Sequence, residues 1–202
     1  MGKGALAMAQ PEPLPARVTV EEWRQILQRS NLKYEYHDGY LVAMSGGTVD
    51  HADIGFNSVA ALRRALRGTA CRVHGSDAAV RFQPTEYRFC DAVVSCNPQD
   101  RGTAQEIQTP RVVVEVLSPS TEREDRTAKY TLARSCPSVE TYVLVWTRYQ
   151  CVEVYDRAEP SWTQRIYWPG QDAELPSLDI RLPLADLYAD TSVPLNPQDA
   201  AQ

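Results

Sequence analysis

One short run of this chain is apolar at every position but one. From Val112 to Leu117 the sequence reads VVVEVL, and Glu115 is the exception. A buried, unpaired carboxylate is costly, so it must be neutral, hydrogen-bonded, paired with a cation or bound to a metal. Asp91 repeats the pattern, opening the apolar stretch DAVV inside YRFCDAVVSC. Two carboxylates on neighbouring strands can converge on one point. Such a point suits Mg2+, which takes one or two carboxylates and fills its other positions with water and substrate phosphate. A plainer account of the same residues stays open at this level: a strand Glu with an Arg partner, and a strand-opening Asp that caps a turn.

The elements that must position these residues can be read from periodicity. On a strand, Val113, Glu115 and Leu117 share one face, and Val112, Val114 and Val116 the other. A run without alternation predicts a central strand covered on both faces. Upstream, Thr19 and Glu22 form a capping signature ahead of a helix carrying Trp23, Ile26 and Leu27. KYEYHDGYLVAM reads as a hairpin turned at Asp38-Gly39. In DHADIGFNSVAALRRALRG, Ile54, Ser58, Ala61, Leu62 and Ala65 make a helical stripe that Gly68 closes. Strands are expected around CRVHGSDAAVRF and YRFCDAVVSC. A second capping signature, Thr121 to Glu124, predicts a helix to about Arg134. VETYVLVW and CVEVYDR read as a further hairpin, and SWTQRIYW and LDIRLPLADLY complete the domain.

Composition narrows the functional classes. The 202 residues suffice for one sizeable domain. The net charge of −5 excludes a global basic field, so contact with nucleic acid must be local or assisted by a metal ion. Five cysteines without CxxC spacing predict buried free thiols in a reducing compartment, with a zinc site from Cys90, Cys96 and His74 as a minor alternative. No run reaches transmembrane length, and Ala5–Ala9 is too short for a signal-peptide core. A cytoplasmic protein is expected, with a mobile tail over 1–16, a domain over 17–190 and a mobile tail over 191–202.

The ordered set PRVVVEVLSPSTEREDRTAKY, CPSVETYVLVW, VEVYDR and LPSLDIRLPLADLY resembles the Uma2 family of restriction endonucleases. YEYHDGYLVAMSGG, DHADI and SDAAVRF extend the resemblance over nearly all of Val18 to Asp190. The family is similar to nucleases with a PD-(D/E)XK site. The implied fold is α/β (α+β), a restriction-endonuclease-like core in which a central mixed β-sheet is flanked by helices, with additional β-hairpins. By position, Asp91 matches the Asp of the motif and Glu115 its second acid. With the Val116 carbonyl, these would hold Mg2+ or Mn2+. Glu35 matches an acid from the N-terminal element that helps place the metal or its water. Cys90 stands where the motif has Pro, and Leu117 where it has Lys. The resemblance takes the amine instead from the following helix, at Lys129, although Asp125 and Lys129 also form an ordinary i,i+4 pair.

His51, at the start of a helix, and Asp77, in GSDAAV, are further candidates, each with a capping or turn role as the simpler account. Arg63, Arg64 and Arg67 form a basic edge on one helix. The implied function is divalent-metal-dependent hydrolysis of phosphodiester bonds in DNA, with a homodimer as the assembly the superfamily suggests. The alternative is a nuclease-fold protein that binds nucleic acid or a protein partner without cleaving.

Overall fold

The computed structural model describes residues 17–44, 46–159 and 161–199, so the expected tail over 1–16 lies outside the described residues. The chain divides into two compact units after Met44.

In the N-terminal unit, helix α1 (Val20–Arg29) starts from the expected capping box, in which Thr19 and Glu22 satisfy one another's backbone N–H. Strands β1 (Tyr34–His37) and β2 (Tyr40–Ala43) pair around Asp38 and Gly39, both at positive φ. That conformation is why the turn carries Asp-Gly. Trp23 is buried against Tyr36, with ring centroids 5.9 Å apart, and its indole N–H donates to the Tyr34 carbonyl.

The C-terminal unit starts with α2 (Val49–Ala65), which packs Ile54, Ala61 and Leu62 inward. Ala65 faces solvent and Leu66 takes the next buried position instead, because the helix ends there and Gly68 turns the chain at φ +84°. Strands β3 (Arg72–Gly75), β4 (Ala79–Gln83), β5 (Glu86–Phe89), β6 (Ala92–Ser95), β7 (Glu106–Ile107) and β8 (Val112–Val116) follow. The crossover then runs through α3 (Glu122–Glu124), a π turn (Asp125–Lys129) and α4 (Tyr130–Ser135). Strands β9 (Thr141–Val145), β10 (Val152–Ala158), β11 (Ser161–Tyr167), β12 (Asp172–Leu175) and β13 (Ile180–Pro183) lead to α5 (Leu184–Leu187).

The main sheet has the order β11-β10-β9-β8-β6-β3. Only β8 and β9 run parallel in it, and a parallel neighbour needs a crossover across the sheet's face. The segment 122–135 is that crossover. β8 is covered on both sides, as its unbroken apolar run implies. Val112, Val114 and Val116 pack with Ile54 and Leu62 of α2, whereas Val113 and Leu117 pack with Leu132 and Ala133 of α4. Burying each valine stabilises by about 1.5–3 kcal/mol, so the strand tolerates one costly acid. Elsewhere β4 pairs antiparallel with β5 and parallel with β7, and β12 pairs with β13. The fold is a mixed α+β architecture with a central mixed sheet flanked by helices.

Several expectations need correction. The strand expected over YRFCDAVVSC breaks at Cys90-Asp91 into β5 and β6. Thr121 makes no capping bond, because its hydroxyl lies 3.0 Å from that of Ser118 and its backbone is already helical. Cys71 and Cys96 are joined by a disulfide rather than left as thiols. The register Arg72↔Ser95 sets them opposite one another at the ends of β3 and β6. Cys90, Cys136 and Cys151 are buried thiols outside that disulfide. The bonded Cys96 also removes the zinc alternative. Over its first residues, the expected C-terminal tail is tied down: Ser192 donates to Asp50 through N–H and hydroxyl, and Val193 is buried. Among the described residues no helix is long and apolar enough to cross a membrane.

Candidate active site

The antiparallel register Ala92↔Val114, continued by one residue, sets Asp91 opposite Glu115. Asp91 Oδ2 accepts from the Val116 N–H at 2.7 Å. A side-chain oxygen thus takes a backbone donor at the point where β6 begins, which fixes the carboxylate's orientation. Glu115 is 3% exposed. A lysine reaches it: Lys129 Nζ stands 3.3 Å from Glu115 Oε1 and 3.3 Å from Asp125 Oδ1. Lys129 is therefore both the i,i+4 partner of Asp125 and a neighbour of the strand acid, and its side chain is only 11% exposed.

The π turn explains this double contact. The segment 122–135 crosses from β8 to β9 over the face that carries Glu115, and its one wide turn spans Asp125–Lys129. Such turns are rare and recur at functional sites. Asp125 sits inside the turn at 2% exposure. Burial raises its pKa above the usual carboxylate range, the nearby Asp91 charge adds to the rise, and Lys129 only partly opposes it. Among the described residues its Oδ1 accepts no well-formed hydrogen bond, although the Lys129 ammonium stands beside it. Behind it, the Tyr142 hydroxyl donates to the Asp125 carbonyl oxygen at 2.9 Å. Burial and the charges of Glu115 and Asp125 keep Tyr142 well above the usual tyrosine range, so it stays a neutral donor.

Glu115 and Asp125 thus share one lysine, and Asp91 stands opposite Glu115 in register and close enough to Asp125 for its charge to act there. The surplus negative charge and the hard oxygen donors suit a divalent cation of the Mg2+ class. The buried Asp125 oxygen left without a well-formed hydrogen bond fits the same group. Asp125 was missed at the sequence level, where its spacing from Lys129 reads as a surface ion pair. The burial that changes its meaning is a tertiary fact.

The remaining candidates fall as follows. His51 Nε2 lies 3.6 Å from Asp91 Oδ2, longer than a hydrogen bond. Its ring is seated by Gly47, where an added Cβ would come within 2.7 Å of His51 Cγ. Its backbone N–H is capped by the Thr48 hydroxyl, so the cap expected near His51 is Thr48. One turn further on, a Cβ at Gly55 would be 3.9 Å from the Asp91 Cβ, so α2 passes close to that acid. Asp77 lies in the turn between β3 and β4, exposed, on the wall of a depression shared with Arg63, His74 and Arg101. Glu35 is buried on β1 in the N-terminal unit, with its Oε2 3.1 Å from His37 Nε2.

A fourth buried acid supplies a contrast. Glu153 accepts from Arg126 Nη1 and Nη2, from the Trp146 indole N–H, from the Tyr155 hydroxyl and from the Gln164 amide. Burial alone would raise its pKa, but these donors and the Arg126 charge hold it below the usual range. It is a saturated, structural carboxylate.

Comparison with known proteins agrees with the fold. The Uma2 family model, described as "Putative restriction endonuclease", matches residues 20–185. The uncharacterized protein slr1290 of Synechocystis sp. is 32% identical over 185 residues, covering 91% of this chain and 97% of that protein. The uncharacterized protein sll1609 of the same organism is 23% identical over 161 residues, covering 78% of this chain and 91% of that protein. A crystal structure described as "a putative nuclease belonging to DUF820" from Anabaena variabilis shares the fold, with a TM-score of 0.65 at 18% identity over 85% of this chain and 98% of that one. With most of its length matched by the family model and by a relative above 30% identity, the chain belongs to the Uma2 family.

Proposed function

We propose that the protein hydrolyses phosphodiester bonds in DNA with Mg2+ or Mn2+ held by Asp91 and Glu115. The observation that carries the reading is the opposition of Asp91, just ahead of β6, and Glu115 on the adjoining β8, with Lys129 reaching 3.3 Å from Glu115. When bound, the cation would supply Lewis-acid polarisation of the phosphodiester and a more acidic water.

The chain's own groups have separable tasks. Asp91 is oriented by the Val116 N–H. Glu115 supplies a second oxygen donor from a strand fixed on both faces. Asp125, through its contact with Lys129, restrains the amine. The ammonium of Lys129 has three donors. It can keep one toward the acids and offer another to a phosphate oxygen, the task that Leu117 cannot perform. Glu35 is assigned from the family resemblance alone as a further acid in catalysis. His51 borders Asp91 and is assigned a positioning part.

Incubation with plasmid and with single-stranded DNA tests the reading. Cleavage should require Mg2+ or Mn2+, stop in EDTA and be lost in Glu115→Gln. A well-folded wild type that binds DNA and never cleaves it would favour the non-cleaving nuclease-fold reading instead.

A further inference from the structure

The arginines of the C-terminal unit are not equally matched. Arg64 on α2 pairs with Asp186. Arg63 on the same helix and Arg67 in the turn just past its end have no carboxylate within 4.0 Å among the described residues, and neither do Arg72 on β3 and Arg101 in the loop after β6. Arg72 and Arg101 are held by neutral groups: Arg72 donates to the carbonyls of Thr69 and Cys71, and Arg101 to that of Ala70. These bonds aim the guanidinium groups without neutralising them.

The four line a hollow of two lobes. Arg63 and Arg101 line a depression of about 470 Å³, and Arg63, Arg67 and Arg72 line one of about 360 Å³. Arg63 and Val73 border both. Asp100, on the wall of the first, is occupied by donors from Ser95, Gln108 and Thr109. Asp77 and Glu106 also line the first depression, so the unopposed positive charge lies in the second, whose lining holds Arg63, Arg67 and Arg72 and no acid. In a chain of net charge −5, that is a local field of the opposite sign. Guanidinium forks match phosphate oxygens in geometry as well as charge.

The hollow stands in a defined relation to the acids. α2 passes Asp91 at His51 and Gly55 and reaches the hollow at Arg63. From position 51 to position 63 the helix rises about 18 Å, at ~1.5 Å per residue. At ~3.4 Å per nucleotide along one strand, that spans about five nucleotides.

We propose that this hollow grips the phosphodiester backbone of nucleic acid, about five nucleotides to one side of the bond presented to Glu115. The inference rests on the nuclease reading and adds the surface that compensates for an acidic chain. The variant Arg63→Gln/Arg67→Gln tests it, since neither side chain makes a hydrogen bond within the described residues. Arg63→Lys/Arg67→Lys, which keeps the charge, serves as the companion. Binding of a short fluorescent duplex is measured in Ca2+ across a salt series, after thermal melts show each variant folded. The Gln variant should flatten the slope of log K against log salt by about 1.8, at ~0.9 per lost phosphate contact, and the Lys variant should keep the slope. Hydrolysis of bis(p-nitrophenyl) phosphate, a diester too small to reach the hollow, should stay at the wild-type rate. An unchanged slope in the Gln variant, with cleavage intact, overturns the inference and leaves the nuclease reading standing. A flattened slope in a protein that never cleaves supports the grip and overturns the nuclease reading. Wild type that binds no nucleic acid overturns the inference.

Discussion

Glu115 and Glu153 share one face of the main sheet, each in register with Leu144 on the strand between them, and the crossover segment pairs each with a cation. Arg126 takes Glu153 in a two-pronged grip, while Lys129 reaches Glu115 and is shared with Asp125. The two acids are nearly equally buried, and their settings differ. One is saturated with donors, and the other sits among like charges.

That difference predicts opposite responses to the same substitution. Glu153→Gln strips Arg126 of its main partner and should destabilise by roughly 1.5–3 kcal/mol, as for hydrogen bonds to charged groups. Glu115→Gln removes one negative charge from a crowded cluster, and in EDTA it should melt at or above the wild-type temperature. Mn2+ should stabilise wild type by about 2.7 kcal/mol at a hundredfold excess over Kd. Glu115→Gln should lose most of that gain. Thermal melts of the three proteins with EDTA and with Mn2+ check this. A Glu115→Gln protein that melts far below wild type in EDTA, with no Mn2+ shift in either, would make Glu115 a scaffold residue.

Lys129→Met separates chemistry from metal affinity. Losing one donor aimed at the reacting phosphate should cut kcat by about 10²–10³. Without metal, the variant leaves Glu115 and Asp125 with no shared cation and should melt lower, by up to about 3–5 kcal/mol. Mn2+ should restore a larger share of stability to it than to wild type. A variant with full turnover would return Lys129 to a structural role.

Asp125 gives the cluster a pH signature. Its folded pKa is raised, mainly by burial, so the folded state holds a proton that the unfolded chain releases at lower pH. Stability from this group is present below its unfolded value near 3.8 and declines as pH rises through the raised folded value. Asp125→Asn removes that decline. In EDTA it should gain on wild type as pH rises from acid toward neutrality, and match it most closely at the acid end. A pH series of melts decides, and equal pH profiles for the two proteins would refute the assignment.

The cysteines can be counted directly. In denaturant without reductant, a thiol reagent should find three free cysteines, and five after reduction. The bond closes a sequence separation of 25 residues, so reduction should lower stability by about 3 kcal/mol. Five reactive thiols before reduction would reject the pairing.

Much of the scaffold was legible because its signals are local. The Asp38-Gly39 turn, the Thr19–Glu22 capping box and the unbroken apolar run around Glu115 each state their own geometry. Asp91 and Glu115 were legible as a pair because each is the one acid in or at the head of an apolar run. The meaning of Asp125 was not, since i,i+4 spacing is the same on a solvated helix and on one pressed against a sheet. Nor was the bond between Cys71 and Cys96, which depends on the register of β3 against β6. Two-residue β7 and the β12–β13 pairing are long-range accommodations with no strong pattern of their own.

The π turn at Asp125–Lys129 works as a phase adjuster. Arg126 and Lys129 must meet acids two strands apart, while Leu132 and Ala133, just beyond, must still face the core. A regular helix advances by a fixed angle of about 100° per residue, from 3.6 residues per turn, and the wide turn absorbs the offset between the two demands. The spacing of this segment is therefore as constrained as its composition. Deleting Thr127 or Ala128 would leave a helix-forming segment with every charge still present, and would swing either the amine or the apolar stripe out of register. Length variation among relatives should accordingly spare this turn, even where the residues around it change.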